Sequence, residues 1–241
     1  MKDDAPLLRE QVAWACRILA LEGYVDLTLG HISARDGDRS VVWIKRRGVA
    51  LDEVEPDDVI ALDIDDDAAF ESPEMHAEAV LHSEVYKSRP DVGAVVHGHP
   101  PYATALGATG ASLELITHDA VLFAEGLPTF EETAELITVS EQGAAVAAAL
   151  GGKRALALRN HGVLVVGKDV PWAVLGAATL ERAARLQFIA TSLGPLRPIS
   201  REHALRVQPD KYHDRLVDDY WAGWQRKLRR LGHGIESLAA D

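Results

Sequence analysis

Cysteine is almost missing from this chain. Cys16 is the single one among 241 residues, so no disulfide can form within the chain. It falls in a helical pattern and reads as a small buried apolar residue. Long apolar runs are missing too: the longest are short and interrupted, which excludes a transmembrane helix. The opening "MKDDAPLLRE" has no apolar signal core, which predicts a cytoplasmic protein. Cations are scarce, with 25 Lys and Arg against 37 Asp and Glu. The resulting formal charge of -12 argues against nucleic acid or an anionic membrane as partner. The densest acidic run, "DIDDD" at 63–67, reads as a solvated turn. There is no Pro/Ser-rich linker, no internal repeat, and no G-x-G-x-x-G after a strand. A chain of this length, 47% hydrophobic and 26% charged, can still bury one sizeable core, and a single domain over 1–241 is expected.

Periodicity divides the chain into helices and strands. Leu8, Val12, Ala15, Ile18 and Leu19 recur at helical intervals within 7–22, and Gly23 follows as a stop. "GHISARDGDRSVVWIKRRG" suggests a hairpin turning at "RDGD", and "DDVIALDID" another strand. A helix is expected from near Ser72-Pro73 until just before Pro90. Strands are expected in "HDAVLFAEGLPTF" and in "RALALRNHGVLVVG", the latter with a tight turn at 159–162. Helices are expected over 140–150 and 171–192. A C-terminal helical segment at about 209–235 carries an apolar stripe that includes Tyr220, Trp221 and Trp224. The whole predicts a sheet covered by helices.

The chemistry centres on "AVVHGHP", residues 94–100. Side chains two apart on a strand share a face, so His97 and His99 form a pair whose spacing the backbone fixes. Two imidazoles at a strand end are either a hydrogen-bonded pair or part of a metal site. A catalytic metal site needs a third ligand and an open position. His161, on the turn before Gly162, is the best candidate third ligand. Glu78 and His82 lie four apart and therefore on one helical face. A carboxylate beside a divalent cation can serve as base, as displaceable ligand, or as both. His82 reads as a packing or supporting residue rather than a ligand.

Together, "EAVLHSEVYKSRPDV", "SRPDVGAVVHGHPPYATAL", "RNHGVLVVG" and the earlier "GHISAR" resemble the class II aldolase/adducin family over roughly residues 8–230. The resemblance implies a three-layer α/β/α sandwich around a mainly antiparallel sheet. It also implies a homotetramer with active sites between subunits and one divalent metal per subunit. His97, His99 and His161 would be the ligands and Glu78 the catalytic carboxylate. Three imidazoles suit zinc, and manganese or another divalent ion can be accommodated.

The family's aldolase branch cradles phosphate with an asparagine, a Thr/Ser-Gly stretch and a serine pair. Those positions hold His31, "KRRG" (Lys45, Arg46, Arg47, Gly48) and His76-Ala77 in this chain. Histidines and a basic cluster suit planar carboxylates and phenolic oxygens better. Lys45, Arg46 and Arg47 otherwise read as a solvated strand edge, with Arg35 as an alternative cation; Ser33 joins the candidate substrate contacts. At the position of the aldolases' aromatic acid stands His118, expected to act as proton donor in competition with Glu78. The substitutions resemble the decarboxylase branch, which acts on hydroxylated aromatic ortho-dicarboxylates such as 3,4-dihydroxyphthalate or a hydroxypyridine dicarboxylate. There an oxygen held by the cation accepts, as an enolate, the electrons of the broken carbon-carbon bond. The rival expectations are an aldolase acting on a small non-phosphorylated hydroxy acid or sugar derivative, and a non-catalytic adducin-like module.

Overall fold

The structure, a computed structural model, describes residues 5–35, 37 and 40–235. Helix α1 (Ala5–Leu21) leads into β1 (His31–Arg35), β2 (Val41–Lys45) and β3 (Val59–Asp63). Then come α2 (Val80–Ser88), β4 (Ala94–Gly98), α3 (Pro101–Gly107) and β5 (Thr129–Phe130). The rest is α4 (Ser140–Leu150), β6 (Ala155–Leu158), β7 (Gly162–Gly167), α5 (Val170–Leu193), α6 (Arg201–Lys211) and α7 (Asp214–Arg230). The strands form one sheet in the order β3-β2-β1-β4-β7-β6-β5, antiparallel except where β5 meets β6.

Strand alternation sorts the side chains into two cores, because neighbouring residues face opposite sides of a sheet. Ile32, Ala34, Ala94, Val96, Val163 and Val165 pack with α1, α5 and α7. Val42, Ile44, Leu62, Val95, Leu164 and Val166 pack with α2 and α4. This is the expected α/β/α layering. The parity of Val95 sends His97 to the α2 side, and the parity of Ile32 sends His31 and Ser33 there too. None of the described helices is long and apolar enough to cross a membrane.

Four local expectations need correction. The helix expected from Ser72-Pro73 starts at Val80; 72–79 is a run of turns, with Met75 N–H on the Ser72 carbonyl and Ala79 N–H on that of His76. In "HDAVLFAEGLPTF" a 3-10 turn at Ala120–Phe123, buried throughout, replaces most of the expected strand, leaving Thr129–Phe130. A short buried apolar run fits either state, so periodicity alone could not choose between them. The C-terminal segment is two helices broken at Tyr212 and His213, with α6 capped by Ser200, which accepts from His203 N–H. α3 was not apparent from periodicity. The hairpin tip at "RDGD" lies partly outside the described residues.

Candidate metal centre

His97 is the last residue but one of β4, on the α2 face, and His99 directly follows the strand's final Gly98. His161 arrives from the turn between β6 and β7, where its N–H bonds the Leu158 carbonyl and Asn160 takes a φ of 57°. The left-handed residue of that turn is therefore Asn160, which tolerates it, and not Gly162. Gly162 is needed for a different reason: a Cβ there would stand 2.6 Å from the Gly98 carbonyl and 2.7 Å from His99 Cδ2. That close approach brings the three imidazoles together. Their ring centroids are 4.9, 5.1 and 5.2 Å apart, and one nitrogen from each lies within 4.8 Å of the others.

The ring nitrogens are sorted by their partners. His97 Nδ1 meets the Val163 carbonyl at 3.0 Å, so it carries the proton and leaves Nε2 as a lone pair. His99 Nδ1 meets Asp26 Oδ1 at 3.0 Å, and the same carboxylate accepts the His99 backbone N–H. Gly98 is needed here as well, since a Cβ would lie 2.7 Å from Asp26 Oδ2. Asp26 thus orients a candidate ligand, the supporting carboxylate common behind metal-bound histidines. Among the described residues, the Nε2 atoms of His97 and His161 are buried with no hydrogen-bond partner. Orphaned buried nitrogens are rare. Aimed at one point, they fit a divalent cation and could hold one.

Glu78 enters from the turn before α2, not from the helix itself. Its Oε1 accepts the Ile137 N–H at 2.9 Å, and its Oε2 lies 3.4 Å from His161 Nε2 and 3.6 Å from His97 Nε2. Burial pushes its pKa up, but the contacts with His161, His97 and Ile137 outweigh burial and hold the carboxyl well below the usual carboxylate range. Burial also lowers the pKa of His97, with Glu78 opposing. Beside this group, the His31 and His76 rings lie 4.3 Å apart. The pKa of His76 is pushed down to about 3, by burial first and then by Lys45, and its Nε2 is another buried nitrogen with no partner among the described residues.

The remaining expected contacts are spread out. Ser33 is fully buried beneath His31, bonded to His82 and Tyr86. Arg35 sits at the far end of β1, its guanidinium 4.5 Å over the Tyr86 ring. Arg46 is held by Asp58. Lys45 faces the α1 layer and donates to the Thr28 and Arg46 carbonyls. Val42 and Ile44 occupy the α2 core, so strand parity turns Lys45 away from the histidines. Arg47 and Gly48 are exposed on the loop whose backbone meets Glu74. His118 is exposed on a turn, its carbonyl accepting the Tyr212 hydroxyl, and does not join its own chain's imidazole cluster. Asp26 and Tyr86 were missed by sequence reasoning: Asp26 lies in an aperiodic loop, and Tyr86 signals itself only by standing four residues after His82.

Residues 10–188 match the family of the Class II Aldolase and Adducin N-terminal domain. The chain belongs to that family. It is 32% identical to 3,4-dihydroxyphthalate decarboxylase of Arthrobacter keyseri, over 92% of this chain and 93% of the relative. Among solved structures, an aldolase II superfamily protein from Pseudomonas syringae superposes with a TM-score of 0.81 at 29% identity, covering 97% of this chain and 96% of that one. L-fuculose 1-phosphate aldolase from Glaciozyma antarctica PI12 superposes with a TM-score of 0.80 at 25% identity, covering 94% and 92%.

Proposed function

We propose that this class II aldolase-family protein is a carbon-carbon lyase. It removes carbon dioxide from a hydroxylated aromatic ortho-dicarboxylate of the 3,4-dihydroxyphthalate type. The observation that carries the reading is the His31–His76 pair, 4.3 Å apart beside Glu78 and His97. Rigid neutral imidazoles, one with a partnerless buried nitrogen, suit planar oxygens of an aromatic acid. The identity with the Arthrobacter decarboxylase along nearly the whole chain supports the same choice.

In this reading His97, His99 and His161 hold one divalent metal, zinc or manganese. When bound, the metal supplies Lewis-acid stabilisation of charge on the substrate oxygens, worth several kcal/mol. Asp26 and the Val163 carbonyl keep His99 and His97 aimed at it. His31 and His76 orient the ring, and Arg47 is the exposed cation open to the second carboxylate. Catalysis requires a proton on the ring carbon that bears the carboxylate. The carbon-carbon bond then breaks, carbon dioxide leaves, and the ring regains aromaticity. Glu78 is placed for that proton transfer; His118, exposed on its own chain, serves a neighbouring subunit's site in a homotetramer. The two donors separate by Glu78→Gln and His118→Asn.

Metal-loaded protein incubated with 3,4-dihydroxyphthalate should release one carbon dioxide per molecule consumed, recorded by trapping or mass spectrometry. The likeness to L-fuculose 1-phosphate aldolase supports a second reading, an aldolase of a small non-phosphorylated hydroxy acid or sugar derivative. Aldehyde or pyruvate from aldol substrates, with no carbon dioxide from any hydroxy-diacid, would establish it instead.

A further inference from the structure

Under His31 runs a chain of buried hydrogen bonds that the metal cluster does not use. His31 Nδ1 lies 2.7 Å from His82 Nε2, His82 Nδ1 lies 2.6 Å from Ser33 Oγ, and Ser33 Oγ lies 2.8 Å from the Tyr86 hydroxyl. The four residues are 0–2% exposed. The sequence builds the chain by period: His31 and Ser33 alternate on one face of β1, while His82 and Tyr86 stand four apart on one face of α2. We propose that this chain runs one way, from Tyr86 to His31, and fixes His31 as an Nε2–H donor toward an anionic substrate oxygen, barring it from the metal.

The direction follows from the end of the chain. A buried phenol must donate its hydrogen or lose about 1–3 kcal/mol. Among the described residues the acceptor its oxygen meets is Ser33 Oγ. Ser33, accepting from Tyr86, must give its own hydrogen to His82 Nδ1. An imidazole carries at least one N–H, and a ring nitrogen that accepts carries none. That of His82 is then on Nε2 and points at His31 Nδ1, leaving His31 its proton on Nε2. Geometry alone allows two ligand sets, His97 with His99 and His161, and His31 with Glu78 and His97. The chain removes the second, because His31 has no free lone pair. A fixed donor accepts a carboxylate or phenolate and disfavours a hydroxyl hydrogen. Tyr86, Ser33 and His82 are thus positioning residues; the substrate half of this inference rests on the decarboxylase reading, and the proton half does not.

The test is a long-range proton–nitrogen NMR correlation on zinc-loaded full chain labelled with 15N-histidine, the His31 signals being those absent from His31→Gln. The expected result is the Nε2–H form in the unaltered chain and a mixture of forms in Tyr86→Phe, with zinc content equal in both. Finding the Nδ1–H form in the unaltered chain, or no change in Tyr86→Phe, would overturn the proposal whether or not decarboxylation is found. If it is found, Tyr86→Phe should lower kcat/KM for the diacid roughly tenfold, the scale of one hydrogen bond to a charged group. Ser33→Thr should keep activity that Ser33→Ala loses. Unchanged kcat/KM in Tyr86→Phe would remove the substrate half of the proposal.

Discussion

Asp26→Asn is the sharpest probe of the candidate metal centre, because the carboxylate is buried and lies behind the imidazole cluster. It accepts the His99 ring N–H at 3.0 Å and the His99 backbone N–H at 2.9 and 3.1 Å, with 3% of its side chain exposed. An asparagine keeps the shape, and its oxygen at the Oδ1 position could still meet both N–H groups, but an NH2 donor replaces the Oδ2 acceptor that lies 2.9 Å from the His99 backbone N–H. The negative charge behind the ring goes as well. A charge-assisted hydrogen bond of this kind contributes about 1.5–3 kcal/mol. Part of that loss falls on folding in the absence of metal. The remainder falls on binding, because the carboxylate interacts more strongly with an imidazole that shares a cation's charge. Losses of 10–100-fold in affinity are typical for such supporting residues, about 1.4–2.7 kcal/mol. The assay is a competitive titration of apoprotein and chelator with zinc at neutral pH, with thermal unfolding of both apoproteins alongside. Zinc affinity within twofold of the unaltered protein, accompanied by a lower Tm, would refute the argument and leave Asp26 as a brace for the 24–30 loop.

Glu78→Gln should retain the metal, since three imidazoles remain, and should lose decarboxylation at least a hundredfold by the usual scale of general acid-base catalysis; metal analysis beside carbon dioxide release checks both. Gly162→Ala should lower metal content and stability together, because the new methyl would stand 2.6 Å from the Gly98 carbonyl and 2.7 Å from the His99 ring; full zinc occupancy by elemental analysis would show that the turn can give way. Asp169→Ala removes the side chain that caps α5 by accepting the Trp172 N–H at 2.9 Å. It should cost about 1 kcal/mol in denaturant unfolding and leave metal affinity unchanged.

The legible part of the site was the part governed by strand period. His97 and His99 could be paired from seven residues because a β-forming run fixes which side chains share a face. The approach of His161 could not be read that way: the turn before Gly162 marked it as the best candidate and the family resemblance added to that, but its position depends on β7 lying beside β4 and on Gly162 admitting the Gly98 backbone, neither of which local pattern encodes. Asp26 was hidden because its loop has no period and its partner lies 73 residues on. The helix expected from Ser72 illustrates the opposite error. A four-residue spacing suggested that Glu78 and His82 share a helical face, whereas the chain is still turning at Glu78, which lets the carboxylate reach the imidazoles while His82 stays beneath them.

Lys45 of the basic cluster "KRRG" turns away from the histidines for a reason the sequence does contain. Val42 and Ile44 are the apolar pair of β2 that fills the α2 core, so Lys45 must face the other layer, opposite to the histidines. Reading Lys45 through Gly48 as a composition rather than as strand positions discarded that parity. Followed consistently, alternation explains which strand side chains reach the site: Val95 and Leu164 in the α2 core force His97 onto that face, and Ile32 and Ala34 in the α1 core force His31 and Ser33 onto it as well. The β1–β4 register then places His31 opposite His97. A one-residue slip of β1 against β4 would turn His31 into the α5 layer. The hydrophobic residues between the histidines are therefore as necessary to the site as the imidazoles, since they choose the face on which the chemistry assembles.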